Sequence, residues 1–401
     1  MRILYLNYEW SPRQSTGALT HIRELSQELT ALGHTVRVVD RHRIVGVHET
    51  DAADESQRER SHWKTQIRRY LHEGAALIRA LRGIATETDL IRREHPDIVL
   101  TRHSLHQFSS IVAGARCGVP VVYEVNAPAA YEYRRYREHY FIAPRFAEWL
   151  ETRMLARADG MFVVSEVLRK HFLDLGVKAE RIRTIPNGAD VSRFCPEASD
   201  PAMRKLLGEK SIIVGFVGSF ARFHGTEQLG HAIDFLLQRK PEVRFLLVGS
   251  GEMSEDLRNH CRSEGLDGRV HFTGHVSPGE VPALMASADI LLAPYAPQDF
   301  FYLSPIKIFE YMAVGRAVLA ANVGQIGEVI QDGINGLLYE PANLESLQAG
   351  LLRLTENHDL RRRLGEEARR TIERRYTWRA NAEGVEALLQ EVVERRKAGG
   401  S

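Results

Sequence analysis

The segment Ser304-Pro305-Ile306-Lys307-Ile308-Phe309-Glu310-Tyr311-Met312-Ala313-Val314-Gly315 puts an anion site and a carboxylate on one short helix. Ser304 is a capping residue type and Pro305 suits the first helical position, so the open N–H groups of that first turn form a site for phosphate oxygens. Lys307 and Glu310 have helical spacing that puts them on a shared face. The ammonium offers a cation to a diphosphate, and the carboxylate accepts from a ribose diol. In isolation the same pair reads as a solvated surface couple. The apolar run Ala317–Ala321 follows at once, then Gly324-Gln325-Ile326-Gly327-Glu328-Val329-Ile330 and Asp332-Gly333-Ile334-Asn335-Gly336-Leu337-Leu338, and that context favours the nucleotide-diphosphate pocket.

The elements that position these residues are legible as apolar strand-like runs alternating with helix-period segments, the pattern of an α/β, doubly wound parallel sheet. Two sets are present. One comprises Ile3–Asn7, Thr35–Asp40, Asp97–Thr101, Val119–Val125, Gly160–Ser165 and Arg181–Ile185. The other comprises Ser211–Phe220, Val243–Gly249, Val270–Gly274, Asp289–Pro294, Ala317–Ala321 and Gly336–Tyr339. Pro186-Asn187-Gly188 is turn chemistry and marks the junction, giving domains of residues 1–186 and 187–379. Charged helices follow from Leu344 to Arg374, and a last helix runs from Ala380 to about Lys397.

With that order of motifs the chain resembles the retaining glycosyltransferases of family 4, whose C-terminal domains carry a glutamate helix, a small-residue strand and a G-x-x-x-E-x-I…G-x-N-G-L-L tail. The resemblance spans essentially the whole chain. It implies the GT-B fold: two Rossmann-like domains facing a central cleft, acceptor side first and donor side second, with the helix of residues 380–401 crossing back to the first. It implies transfer of a hexose-type sugar from a UDP or GDP donor to a hydroxyl acceptor, with retention and by a front-face route, in bacterial glycan, polysaccharide or glycoconjugate synthesis. The acceptor would be a carbohydrate, a lipid-linked molecule or a small molecule.

Residue by residue, the resemblance places the loop of Gly17, in Ser15-Thr16-Gly17-Ala18, against the diphosphate and the acceptor. It places Gly249 in a V-G-x-G piece, and Phe272, His275 and Val276 in a V-x-F-x-G-x-V piece that holds the base through main-chain groups. Ser304, Pro305, Lys307 and Glu310 hold the diphosphate and ribose. The chain departs from the family in three places. Ser219 and His224 stand where a cationic Arg and Lys are usual, so Arg222 is the candidate to supply the missing charge beside Lys307. Tyr302 stands where the first of two paired glutamates is usual, with Asp299 nearby. Asn126 stands where many relatives place a His, leaving His103, His106 and Glu124 as alternative polar contacts to sugar or acceptor, or as satisfied strand-end groups. Arg222, Lys307 and Glu310 are the expected catalytic set.

The aromatic and basic segment Tyr131, Tyr133, Arg134, Arg135, Tyr136, Arg137, Tyr140, Phe141 and Arg145 is the candidate acceptor side. A basic amphipathic stretch carries Lys64, Arg68, Arg69, Arg79 and Arg82 among Trp63, Ile67, Leu71, Ile78 and Leu81. It reads either as a helix covering the sheet or as a contact to an anionic membrane surface.

The formal charge of the 401 residues is +1, which argues against a nucleic-acid partner. Cys117, Cys195 and Cys261 lack Cys-x-x-Cys spacing, so neither disulfides nor a zinc site are expected. No Asp-x-Asp occurs, so no metal is expected on the diphosphate, and no other cofactor is implied; the nucleotide sugar is a co-substrate. No signal-like or membrane-length apolar run is present, and a cytoplasmic protein, free or peripheral on the inner membrane face, is expected. Two alternatives stay open, a nucleotide-sugar epimerase on the same fold and a non-catalytic nucleotide-sugar-binding subunit. A nicotinamide dehydrogenase is disfavoured, since no G-x-G-x-x-G follows the first strand.

Overall fold

The computed structural model describes residues 1–8, 17–40, 62–136 and 144–399. The expected loop at residues 50–60, Tyr140, Phe141 and Arg137 lie outside the described residues, as do the side chains of Lys64, Arg68, Arg69, Trp63, Ile67, Leu71 and Tyr136. Contacts divide the chain into two units: Met1–Pro186 with Asn381–Ser401, and Asn187–Ala380.

The first unit holds β1 (Arg2–Asn7), β2 (Thr35–Asp40), β3 (Ile98–Arg102), β4 (Val121–Val125), β5 (Gly160–Val163) and β6 (Ile182–Thr184). They form one all-parallel sheet in the order β2-β1-β3-β4-β5-β6. Strands β3, β4 and β5 are buried at every position, which is why they read as continuous apolar runs rather than alternating ones. Thr377 Oγ1 accepts from the Ala380 N–H at 3.0 Å, so the last helix starts at Trp378, two residues before the expected start. Its Ala382, Val385, Leu388, Leu389 and Val392 fall at helical spacing and pack on Ile3, Tyr5, Val122, Phe162 and Ile185 of the first unit.

The second unit holds β7 (Ile212–Val217), β8 (Val243–Val248), β9 (Val270–Gly274), β10 (Ile290–Ala293), β11 (Ala317–Ala321) and β12 (Leu337–Tyr339). Its sheet is also all parallel, in the order β12-β11-β10-β7-β8-β9. The run expected through Phe220 ends as a strand at Val217, because Gly218 turns the chain at φ +150. The two sheets with their crossover helices are the expected α/β architecture.

Strand order fixes where a ligand can sit. In the second unit the chain runs from β7 to β8 on one side and later returns to β10 on the other, so the loops after β7 and β10 part and leave a crevice. In the first unit the corresponding reversal lies between β1 and β3. Among the described residues no helix is long and apolar enough to cross a membrane.

Candidate functional site

The segments after β7 and β10 carry Ser219, Arg222, His224, Tyr302, Ser304, Pro305, Lys307 and Glu310 of the residues singled out by sequence. The helix Ile306–Ala313 buries Ile308, Phe309, Tyr311, Met312 and Ala313, leaving Lys307 and Glu310 on the remaining side. It begins one residue later than expected. Pro305 is its cap residue, with no side-chain cap bond. Ser304 does not cap, because its hydroxyl is taken by another element: Ser304 Oγ accepts from the Asn187 N–H at 3.1 Å, and its carbonyl accepts from Asn187 Nδ2 at 2.7 Å. Ser304 is buried and anchors the segment leading into the helix.

Lys307 reaches back under the β7 loop. A Cβ built on Gly218 would lie 2.5 Å from Lys307 Nζ, so the glycine lets the ammonium come close to the backbone, at a φ of +150 that other residues rarely adopt. The Nζ sits 4.8 Å from the Phe216 ring centroid and 5.2 Å from that of Tyr295. The residue is only partly buried overall, but its charged end is walled by rings and backbone. Desolvation pulls its pKa down to about 7, against an upward pull from Glu310.

His224 closes the other side. Its Nδ1 lies 2.9 Å from the Ser219 carbonyl oxygen and 2.7 Å from Ser219 Oγ. A carbonyl only accepts, so Nδ1 carries the proton and Nε2 is the lone-pair nitrogen. Burial first, and then the Lys307 charge, pull the His224 pKa down to about 3, so the imidazole is neutral at physiological pH. The ring packs edge-on to Tyr295 at 5.5 Å. Gly225 follows at φ +78, where any Cβ would overlap the Pro294 carbonyl, which ties the β7 loop to the end of β10. Thus Ser219, His224 and Lys307 converge, with Glu310 one helical turn along from Lys307.

Arg222 stands apart. Its side chain is 77% exposed and pairs with Glu227 at 3.5 Å, an arrangement set by the short turn Arg222–His224 that presents it to solvent. Gly249 receives the turn of the neighbouring loop and donates its N–H to the Gly274 carbonyl at 3.0 Å. Phe272 is half-buried beneath Arg258, whose guanidinium lies 4.6 Å from the ring centroid; Val276 is half-buried and His275 exposed. Tyr302 is buried, tilted against Phe300 at 5.3 Å, and Asp299 is exposed.

In the first unit, Gly17 is exposed at the start of the helix Gly17–Ala31. Glu124, at the end of β4, has no exposed surface. It accepts from Tyr5 OH, Arg102 and Asn126, and His21 Nε2 lies 3.3 Å from it. Burial pushes its carboxyl up, but Arg102, His21 and the Tyr5 and Asn126 hydrogen bonds together outweigh that and hold it below the usual carboxylate range. It is a strand-end group satisfied from within, and it fixes the Asn126 amide. His103 pairs its Nε2 with Glu151 at 2.6 Å, both side chains being buried. Sequence reasoning missed Tyr5, His21, Arg102 and Glu151 as partners. The register Arg102↔Glu124 between two otherwise apolar strands was the available signal. Among the described residues no group of three or more His, Cys, Asp or Glu could hold a metal ion.

Residues 15–193 match the family described as Glycosyltransferase Family 4, and residues 201–371 match that described as Glycosyl transferases group 1. A D-inositol 3-phosphate glycosyltransferase of Corynebacterium efficiens is 29% identical over 232 residues, 55% of this chain and 53% of that protein, so the chain spans about half the length of this curated relative. Among solved structures, sucrose-phosphate synthase of Thermosynechococcus elongatus superposes with a TM-score of 0.72 at 19% identity, covering 98% of this chain and 99% of its own. HepE of Anabaena, solved in complex with UDP, gives 0.71 at 19% identity over 98% and 100% of the two chains. With both halves matched by glycosyltransferase families and the two sheets shared with GT-B structures, the chain belongs to the family 4, group 1 glycosyltransferases.

Proposed function

We propose that the second unit binds a nucleoside diphosphate sugar and that the protein transfers its hexose-type sugar to a hydroxyl acceptor with retention at the anomeric carbon. The observation that carries this reading is the Lys307 ammonium, held beneath Gly218 and desolvated among Phe216, Tyr295 and His224. A cation held there is stabilised when a diphosphate oxygen arrives, and more so as the leaving group gains charge. The open N–H groups at the start of the helix Ile306–Ala313 add donors to the same anion. Glu310, one turn on, is the carboxylate for the ribose diol.

The neutral His224 supports the same reading through its Nε2 lone pair, an acceptor for a sugar hydroxyl beside the diphosphate. Since the fold-sharing HepE was solved with UDP, UDP sugars are the donors to try first, with GDP sugars second. Charge on the departing diphosphate is met by Lys307 and helix N–H groups, so transfer needs no metal in this scheme. The departing oxygen can take the acceptor proton on the face it leaves.

The test is donor turnover and binding in Lys307→Ala and Glu310→Ala. Loss of a charge-assisted contact worth about 1.5–3 kcal/mol lowers kcat/KM by roughly 10- to 150-fold in the first, while the second raises the donor KM. Wild-type behaviour in both variants would remove the assignment. Loss of transfer on EDTA treatment would overturn the metal-independent scheme, and an inverted anomeric signal in the NMR spectrum of the product would overturn retention.

A further inference from the structure

One surface of the first unit is not used by the reading above. The helix Pro144–Leu155 has two faces that both carry large apolar groups. Ala147, Met154 and Leu155 are buried against the unit, together with Glu151. On the opposite side Phe146 is 45% exposed and Trp149 54% exposed, their rings stacked at 5.8 Å and 26°. A pair of large aromatics stacked in solvent costs free energy unless something covers it.

The surroundings say what covers it. Arg145 and Arg153 are exposed on the same helix, and the Arg153 guanidinium lies 5.9 Å from the Trp149 ring centroid. Arg134 and Arg135 are exposed on the adjacent helix Ala129–Tyr136. The carboxylates of the helix Pro144–Leu155 are already engaged, Glu151 by His103 and Glu148 by Arg134 at 3.8 Å. Among the described side chains of these two helices, the outward charge is therefore positive. Two aromatic side chains bury too little area to hold a protein partner, which needs about 800 Å² on each side. Aromatic rings among arginines do match the headgroup region of a bilayer, with rings at the level of the glycerol backbone and guanidinium groups on lipid phosphates.

We propose that Phe146 and Trp149, with Arg135, Arg145 and Arg153, form a docking surface for an anionic membrane. This surface is separate from the nucleotide residues and independent of the reading given for them. It also differs from the stretch expected from sequence, where Ile78 and Leu81 are likewise exposed on the helix His62–Glu94.

The experiment is co-sedimentation of the full chain with vesicles of phosphatidylglycerol and phosphatidylcholine, against vesicles of phosphatidylcholine alone, at low and high salt. Binding is expected only to the anionic vesicles, with a blue shift of tryptophan fluorescence that disappears in Trp149→Phe. Phe146→Ser combined with Trp149→Ser should abolish binding while the variant still unfolds in a cooperative thermal transition, because both side chains lie on the outward side of the helix. Arg135→Gln, Arg145→Gln and Arg153→Gln should each weaken binding at low salt by roughly five-fold. Absence of binding to anionic vesicles, or binding that survives the double serine variant, overturns the proposal. So does a dimer in sedimentation velocity that dissociates in the double variant without any vesicle binding, since the patch would then face a second copy of the chain.

Discussion

The Tyr311 hydroxyl satisfies both backbone groups of Val217: it accepts the N–H at 2.7 Å and donates to the carbonyl at 3.1 Å. Val217 is the last residue of β7, and pairing of β7 with β10 is confined to Val214 and Gly215. Tyr311 therefore takes over where the ladder stops and fixes the helix Ile306–Ala313 against the end of β7. The same helix carries Lys307 under Gly218, so the tyrosine sets the depth at which the ammonium sits. Tyr311→Phe leaves two buried backbone groups without partners and should cost about 1–3 kcal/mol. Urea denaturation measures that cost. The donor KM should rise with it, while an unchanged KM would show that Lys307 is positioned by other contacts.

On the proposed reading, donor binding takes up a proton at Lys307. Its pKa near 7 in the free protein means that the amine is largely neutral above that pH, whereas a bound diphosphate favours the ammonium. Calorimetric titration of UDP at pH 8 in buffers of different ionisation enthalpy should show uptake approaching one proton, falling toward none at pH 6. Lys307→Met should abolish the buffer dependence. Stability follows the same sign. The folded pKa lies below the ordinary lysine value of 10.5, so the unfolded chain binds more protons between about pH 7 and 10.5. The penalty for holding the charge is full below pH 7 and is relieved across that window. The methionine variant should thus gain most in stability at pH 6 and least near pH 10.

How far the sequence discloses this arrangement depends on the range of the interaction. Parallel strands such as β4 and β11 are buried on both faces, so their apolar runs mark them and even their ends within a residue or two. Lys307 and Glu310 share a face because helical spacing is a local property. Ser304 looks like a cap from the same local rules, yet its hydroxyl bonds Asn187, 117 positions away in the chain. Glu124 is engaged by Tyr5, 119 positions away, and by Arg102 through strand register. Nothing near Arg222 in the sequence states that its turn points outward toward Glu227. Long-range polar pairing is decided by the topology, after the strands are placed, and composition does not encode it.

Glu124 supplies a test of that buried pairing. Glu124→Gln keeps the shape but leaves Arg102 and His21 facing a neutral group in a site without solvent, and should cost about 3–5 kcal/mol at pH 7. The folded carboxyl is held below its ordinary value of 4.5. Its contribution to stability is therefore present above pH 4.5 and is lost as pH falls through the folded pKa. Denaturation between pH 6 and 3 should show a steep acid limb in the wild type and a shallower one in the glutamine variant. Equal slopes would mean that other carboxylates govern the acid limb.

The last helix of the chain gives the clearest stability test of the first unit. Leu388 and Leu389 are buried to 1% and 0% exposure against a cluster that includes Ile3, Tyr5 and Phe162. Gly160 at the start of β5 lets the helix approach, since a Cβ there would come 2.9 Å from Val392. A helix docked this closely relaxes only partly around a hole. Leu389→Ala should accordingly cost about 2–5 kcal/mol, the transfer of the lost methylenes plus the cavity left behind. Gly160→Ala crowds the Val392 side chain and should destabilise by about 1–3 kcal/mol through overpacking. Donor binding, measured by UDP titration below the unfolding transition, should be unchanged in both, because Lys307 and Glu310 belong to the second unit. A Leu389→Ala cost under about 1 kcal/mol would mean that the helix does not form part of the rigid core of the unit.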